Sequence, residues 1–259
     1  MKSTIFDSLH SKYYDLTYEK KDYAGEAAFF NKLIKKFGRA GTKTIASFGA
    51  GTLNHERHLL KKGYVIHGVD FSETMVALAK QKIKREKLQN ITVEQGDMRA
   101  WKTNKKFDAV LSMFNVVSYC KNLKELERVV EVAGNALEPK GVFIFDCWNA
   151  EAVKKDPPRT RFVKFRQGRT ELYRLTEATP TDHGEAINLS IELIEIKNGE
   201  ITERETEKHR VHAWRLWDIK KILAKNGFSL RLACEFGNAK KPISDTKWAM
   251  TIVAKKAQS

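Results

Sequence analysis

Gly49-Ala50-Gly51 follows the apolar run Thr44 to Phe48 and precedes a helix-length segment that Gly63 stops. Glycines at that spacing let the main chain approach a ligand with no Cβ in the way, and the segment behind them offers unpaired N–H groups. Asp70 ends the next apolar run about 20 residues on, where an acid can accept both hydroxyls of a ribose. These residue types predict a ligand that contains a nucleoside. A dinucleotide would call for a third glycine in the pattern G-x-G-x-x-G, which brings the helix close under a pyrophosphate. Asn54 holds that position, so hydride-transfer chemistry is disfavoured.

Positioning these groups takes a strand, a tight loop, a helix and a second strand between Thr44 and Asp70, which is half of a nucleotide-binding α/β sheet. Further apolar runs supply the rest. Ile91 to Glu94 leads into Gln95-Gly96-Asp97-Met98, Phe107 to Phe114 forms a fourth strand, and Leu137-Glu138-Pro139-Lys140-Gly141 turns into a fifth from Val142 to Cys147. Helical spacing marks Tyr23 to Phe37, Glu73 to Glu86 behind an N-cap at Ser72, Asn122 to Leu137, and Asp218 to Asn226. Leu230 to Phe236 and Trp248 to Val253 read as the last two strands.

This order of motifs resembles the class I S-adenosylmethionine (SAM) dependent methyltransferases, strongly from about residue 40 to residue 150 and more loosely beyond. The resemblance implies an α/β fold: a Rossmann-like seven-stranded methyltransferase sheet, its last strand antiparallel. It implies SAM as cofactor and S-adenosylhomocysteine (SAH) as product. By the family pattern, Gly49, Ala50 and Gly51 wrap the methionine part and Asp70 holds the ribose. Phe71 and Met98 flank the adenine, Asp97 accepts from its amino group, and Met75 lies on the inner face of the following helix. Met113 and Phe114 close the pocket beside the reacting methyl, and Tyr14, in a Tyr-Asp segment ahead of the sheet, folds over the cofactor as a lid. Two residues depart from the family's D-x-G-x-G-x-G. Ser47 removes a carboxylate near the methionine ammonium, and Leu53 replaces a glycine and narrows the loop.

After the fifth strand the pattern changes. Ile187, Leu189, Ile191 and Leu193 alternate with polar residues, and Lys197-Asn198-Gly199-Glu200 is a hairpin turn, so an inserted antiparallel β-sheet is expected. The chain then divides into residues 1–150 (lid and SAM-binding core), 151–213 (a substrate roof) and 214–259 (the last helix and strands of the core). Lys154 to Arg174 carries a surplus of basic residues among aromatics. Arg161 and Arg166 are the candidates for clamping a substrate phosphate; the alternatives are RNA binding or a solvated outer face. At the strand ends, Asn115, Ser118, Asp146 and Asn149 either meet substrate or cap the next turn.

Bulk composition narrows the function classes. The chain has 259 residues, 42% apolar and 31% charged, with a formal charge of +15. That charge suits an anionic partner, or scattered lysine that serves solubility. No apolar run reaches the roughly 18 residues of a membrane span, and the N-terminus is unlike a signal sequence, so a cytoplasmic protein is expected. Three separated cysteines form neither a zinc pattern nor a disulfide framework, and no metal site is expected.

Methyl transfer from a sulfonium can proceed by alignment and desolvation, which supply roughly 7 to 11 kcal/mol. A base matters when the acceptor must first lose a proton. Of the seven histidines, His209 is the base candidate, with Tyr14 beside it. His209 and His212 are an odd number of positions apart on one strand and so face opposite sides. His55 starts the helix after the glycine turn, while His10, His58, His67 and His183 have no site context. The stretches Lys12 to Phe30, GDMRAW and VLSMFNVVSYCKN are similar to N,N-dimethyltransferases of nucleotide-linked amino sugars. The expected acceptor is a small, anionic metabolite, first an amino sugar nucleotide. RNA or protein methylation and a non-catalytic scaffold are the alternatives, and a homodimer is possible.

Overall fold

The computed structural model describes residue 6 and residues 9–181 and 184–258, so His183 lies outside the described residues. Strands β1 (Thr44–Phe48), β2 (Val65–Asp70), β3 (Ile91–Gln95), β4 (Phe107–Ser112) and β5 (Leu137–Asn149) form a parallel sheet in the order β3-β2-β1-β4-β5. The chain reverses direction across the sheet after β3, and this opens a crevice at the carboxyl ends of β1 and β4. β10 (Phe228–Glu235) and β11 (Ala249–Lys256) complete the expected seven strands, with β11 antiparallel between β5 and β10.

Alternation along these strands builds two cores. Ala46 and Phe48 of β1 face α6 (Leu123–Ala136) and α8 (Leu216–Lys225), meeting Leu126, Val129, Ile219 and Ile222. Ile45 faces the other way, towards Phe30, Leu33 and Ile34 of α3 (Tyr23–Phe37) and Val76 and Ala79 of α5 (Glu73–Arg85). Both faces of β4 and β5 are covered, which is why these strands read as continuous apolar runs. Ser72 caps α5 by accepting from Met75 N, and Asn122 caps α6 by accepting from Glu125 N.

The insertion is an antiparallel meander of β6 (Arg161–Gln167), β7 (Thr170–Pro180), β8 (Ala186–Lys197) and β9 (Glu200–Trp214), preceded by α7 (Ala150–Lys155). It is fused to the core. β9 pairs parallel with β5 at Ala213 with Trp148 and Trp214 with Asn149, giving one 11-stranded sheet, and Trp214 therefore belongs to the roof. Two short helices, α1 (Leu9–Lys12) and α2 (Tyr14–Thr17), form the lid, and Leu9 and Tyr13 pack against Leu172, Ile191 and Leu193 of the roof.

Local differences from the sequence expectation have local causes. The helix behind the glycine turn, α4 (Glu56–Leu60), is short because the turn runs on through Leu53, whose φ is +65. β5 starts at Leu137 rather than Val142; Lys140, at φ +62, and a register shift opposite Phe107 and Ala109 keep the strand paired through the former turn.

Candidate active site

At the carboxyl end of β1, Gly49 and Gly51 have φ of +65 and +50. A Cβ on Gly49 would lie 2.5 Å from the Val116 side chain, whereas a Cβ on Gly51 would meet nothing within 4 Å. The space over Gly51 is open to a ligand. Gly49 N and Ala50 N donate to Val69 O, and Gly51 N donates to Asp70 Oδ2 at 2.7 Å. Ser72 N donates to Asp70 Oδ1 at 2.9 Å. Burial raises the Asp70 carboxyl against these two bonds, and its remaining lone pairs are fixed in direction. Phe71 beside it is 61% exposed, an unusual state for a phenylalanine and suited to covering a flat ring.

Leu53 does not narrow the turn. It adopts the left-handed conformation that a third glycine would take, and its side chain is fully buried. Gly68 on β2 leaves room for it: a Cβ there would come within 3.3 Å of Leu53 Cδ2. The strain of a non-glycine residue at such a φ is of order 1–2 kcal/mol, and burial of the leucine offsets it.

Further along the crevice, Asp97 is held by its neighbour. Arg99 Nε and NH2 reach both its oxygens at 2.8 Å, and Arg99 NH1 reaches Glu125 at 2.9 Å. Burial opposes ionisation of Asp97, but Arg99 keeps its carboxyl below the ordinary value. Met98 packs against the core, and Met75 and Met113 are buried. At the end of β4, Phe114 and Asn115 have consecutive φ of +71 and +59. Such backbone strain gathers where surrounding structure enforces it. Here the enforcing contact is Asn115 N donating to Asp146 Oδ2 at 2.9 Å. Asn115 Oδ1, Asp146 Oδ1 and Tyr23 OH are buried without a hydrogen-bond partner among the described residues. Burial pushes the Asp146 carboxyl up to about 7.

The lid lies over this crevice. The Tyr14 ring sits 4.9 Å from Tyr18, and Tyr18 stands at 90° to Phe114 with centroids 5.2 Å apart. Burial raises the Tyr14 phenol well above its ordinary value.

Two strand-end candidates turn away from the crevice. Ser118 is buried, its Oγ accepting from Trp148 N at 2.9 Å, so it joins the 3-10 turn Val116–Tyr119 to β5. Asn149 caps α7 and donates to Ser244 O at 2.7 Å. In the roof, Arg166 shares the outer face with Lys164 and pairs with Glu171, 68% exposed, so it is a solvated ion pair. Arg161 lies on the opposite face with Val163, whose register partner is Arg174. Arg174, which the sequence reading passed over, is the arginine directed towards the lid: its guanidinium is 5.4 Å from the Tyr18 centroid and its buried Nε has no partner among the described residues.

His209 is 2% exposed. Its Nε2 lies 2.9 Å from Glu207 Oε2 and its Nδ1 3.0 Å from the Tyr119 hydroxyl. Glu207 Oε2 also lies 2.7 Å from His10 Nδ1, and Glu207 Oε1 accepts from Phe6 N. Burial would raise Glu207, but the bonds from the two imidazoles override it and hold the carboxyl at about 2. With Glu207 ionised, a neutral His209 whose Nε2–H donates to it has Nδ1 free to accept from Tyr119. The three groups lie within 4.8 Å of one another, a spacing open to a metal, yet the Glu207 oxygen already sits at hydrogen-bond distance from both rings. His10, dismissed from the sequence, is thus part of this cluster; the signal was the period-two run Glu203, Glu205, Glu207, His209 on one face of β9.

Comparison with known proteins accords with this geometry. Residues 45–141 match the methyltransferase domain family. The dTDP-3-amino-3,4,6-trideoxy-alpha-D-glucopyranose N,N-dimethyltransferase of Streptomyces venezuelae is 34% identical over 168 residues, covering 64% of this chain and 68% of the relative. The sugar N-methyltransferase KedS8 from Streptoalloteichus superposes with a TM-score of 0.82 at 18% identity, over 99% of this chain and 96% of that one. SAM-bound CalS10, an amino pentose methyltransferase from Micromonospora echinaspora, does so at 0.73 and 17% identity, over 99% and 100%. These two structures show a shared fold.

The chain belongs to the SAM-dependent methyltransferases. It is an enzyme that uses SAM, and the residues present fit that cofactor: a glycine turn with open space above Gly51, an Asp70 carboxylate fixed by two backbone amides, and buried carboxylate oxygens without a hydrogen-bond partner among the described residues. No helix among the described residues is long and apolar enough to cross a membrane.

Proposed function

We propose that the enzyme N-methylates the amine of a nucleotide-linked amino sugar. The observation that carries this reading is the chain Tyr119, His209, Glu207. Bound SAM supplies an electrophilic methyl on a sulfonium. An alkyl amine arrives largely as ammonium at neutral pH, with its lone pair taken up by a proton. Tyr119 O–H donates to His209 Nδ1, so its oxygen can accept that proton while passing its own to the imidazole, and Glu207 stabilises the resulting imidazolium. Burial raises the Tyr119 phenol, and a concerted shift avoids a tyrosinate. Tyr14 and Phe114 wall the reacting centre in this reading, and Asn115 and Asp146 offer oxygens to the acceptor or the methyl-bearing sulfur.

The acceptor class rests on two supports. The Streptomyces venezuelae relative is named for a dTDP-amino sugar. Arg174 and Arg161, on the lid-facing side of the roof, offer cations to a diphosphate. The test is transfer from SAM to dTDP-linked 3-amino sugars, read by mass spectrometry as one or two added methyl groups. Methylation of an RNA or a protein with none on amino sugar nucleotides would overturn the reading. Tyr119→Phe should lower kcat/KM on such an amine by roughly 10²-fold with SAM affinity unchanged.

A further inference from the structure

We infer that Glu56 recognises the cofactor: its carboxylate pairs with the ammonium of the methionine part of SAM, in place of the acid that position 47 lacks. This rests on the cofactor and is independent of the acceptor proposed above.

Ser47 is the penultimate residue of β1, two before Gly49, and its hydroxyl donates to Glu56 Oε1 at 2.7 Å. A serine there carries no charge, but it fixes the rotation of the carboxylate that does. Glu56 is the first residue of α4, immediately behind the glycine turn, and is 2% exposed. Its second oxygen, Oε2, is buried and has no hydrogen-bond partner among the described residues. Leaving such an atom unpaired costs about 1–3 kcal/mol, and more when the group is charged. Natural folds keep few such atoms, and a ligand that completes the bond is one reason to keep one.

The neighbouring cations are already committed. Lys21 and His55 both pair with Glu26, and Lys82 reaches Asp15 at 2.8 Å and Asn54 at 2.8 Å. None of these bonds extends to Glu56. Burial, the largest effect, lifts the Glu56 carboxyl above its ordinary value; the nearby His55 charge, the Ser47 hydroxyl and its own backbone N–H oppose this without overcoming it, and Asp70 adds a like charge. The missing partner is therefore a positively charged donor delivered from outside the chain, close to the glycine turn. Of the groups on SAM, the α-ammonium offers N–H donors, whereas the sulfonium offers none.

The experiment is calorimetric titration of wild type, Glu56→Gln and the double variant Ser47→Asp/Glu56→Gln with SAH and with 5′-methylthioadenosine. The second ligand keeps the nucleoside and its thioether but lacks the amino acid. Glu56→Gln should weaken SAH by about ten- to a hundredfold, as expected for a charged hydrogen bond, and leave methylthioadenosine within about twofold. The double variant should regain part of the SAH affinity. Unchanged SAH affinity in Glu56→Gln would overturn the inference, and so would an equal loss for both ligands, which would mean that Glu56 shapes the turn. Wild type also gives a reading without any variant: an SAH analogue lacking only the α-amino group should bind about ten- to a hundredfold more weakly than SAH, and equal binding would likewise overturn it.

Discussion

The Asp15 carboxylate accepts from the Thr52 hydroxyl at 2.6 Å, so the N-terminal lid is latched to the glycine turn itself. Asn54 Nδ2 donates to the same oxygen at 2.9 Å, and buried Lys82 joins Asp15 to Asn54 from below. Burial opposes ionisation of Asp15, but Lys82, Thr52 and Asn54 hold its carboxyl below the ordinary value. Asp15→Ala should release the lid while leaving the core folded. Its side chain is half exposed, which discounts the effect to about 1 kcal/mol, or roughly fivefold faster SAM release. Stopped-flow displacement would read the rate, and an unchanged rate would show that the latch does not retain cofactor.

The two glycines should fail differently. Gly49→Ala meets Val116, so its main effect is on folding, read as a lowered Tm. Gly51→Ala meets no protein atom; it should cost about 1 kcal/mol of stability through its φ and much more in cofactor binding. Calorimetry alongside thermal unfolding separates the two.

Asp70→Ala removes the carboxylate proposed to hold the ribose and the partner of two backbone amides. SAM affinity should fall at least about tenfold, since each charge-assisted bond contributes on the order of 1.5–3 kcal/mol. Asp70→Asn, which still offers one acceptor oxygen, should lose less stability than Asp70→Ala. Equal SAM affinity in all three proteins would place the ribose elsewhere.

Asp146 sets a pH dependence of the unliganded protein. A carboxyl held at about 7 in the folded chain against 3.8 ordinarily binds more protons folded than unfolded between those values. Stability is therefore lost as pH rises through that window. Asp146→Asn should flatten the fall, as measured by thermal unfolding from about pH 5 to about pH 8. An identical slope in both proteins would show that Asp146 ionises freely.

The outer roof should be tolerant and the inner roof should not. Arg166→Ala breaks a solvated pair and should leave kcat/KM within about twofold. Arg174→Ala should raise KM for a diphosphate-bearing acceptor by about tenfold or more while sparing SAM affinity. Parallel effects of the two variants would remove Arg174 from the acceptor site.

The sequence was most legible where one residue type answers one backbone demand. Gly49, Gly51 and Ser72 announced a turn and a cap, and the alternation from Ile187 to Leu193 announced the inserted sheet; the cap at Asn122 was not read. His209 and His212 do face opposite ways: His209 points at the lid cluster, while the His212 ring lies 4.0 Å from that of Trp214, tilted by 38°. Contacts between distant segments were not legible. Nothing in spacing told that Leu9 N would donate to Glu205, that Tyr13 and Lys12 would meet Glu195, or that His10 would meet Glu207. Which arginines face inward was not legible for a related reason: strand alternation gives two faces, and only the register of β6 on β7 says which one Arg174 and Arg166 occupy. Leu53 misled because its cost was judged at the turn, whereas Gly68, on another strand, accommodates it.

One segment is fastened at both ends. Below, Asp15 holds the glycine turn; above, Glu195, Glu205 and Glu207 hold the lid to the roof. On the proposed reading, spent cofactor and methylated acceptor would both leave past this one segment. An amine destined for two methyl groups would have to let go after the first, because recharging the enzyme requires opening the wall of its own chamber. Dimethylation on this scaffold is expected to be distributive, with the monomethyl product accumulating in solution before the second turnover consumes it.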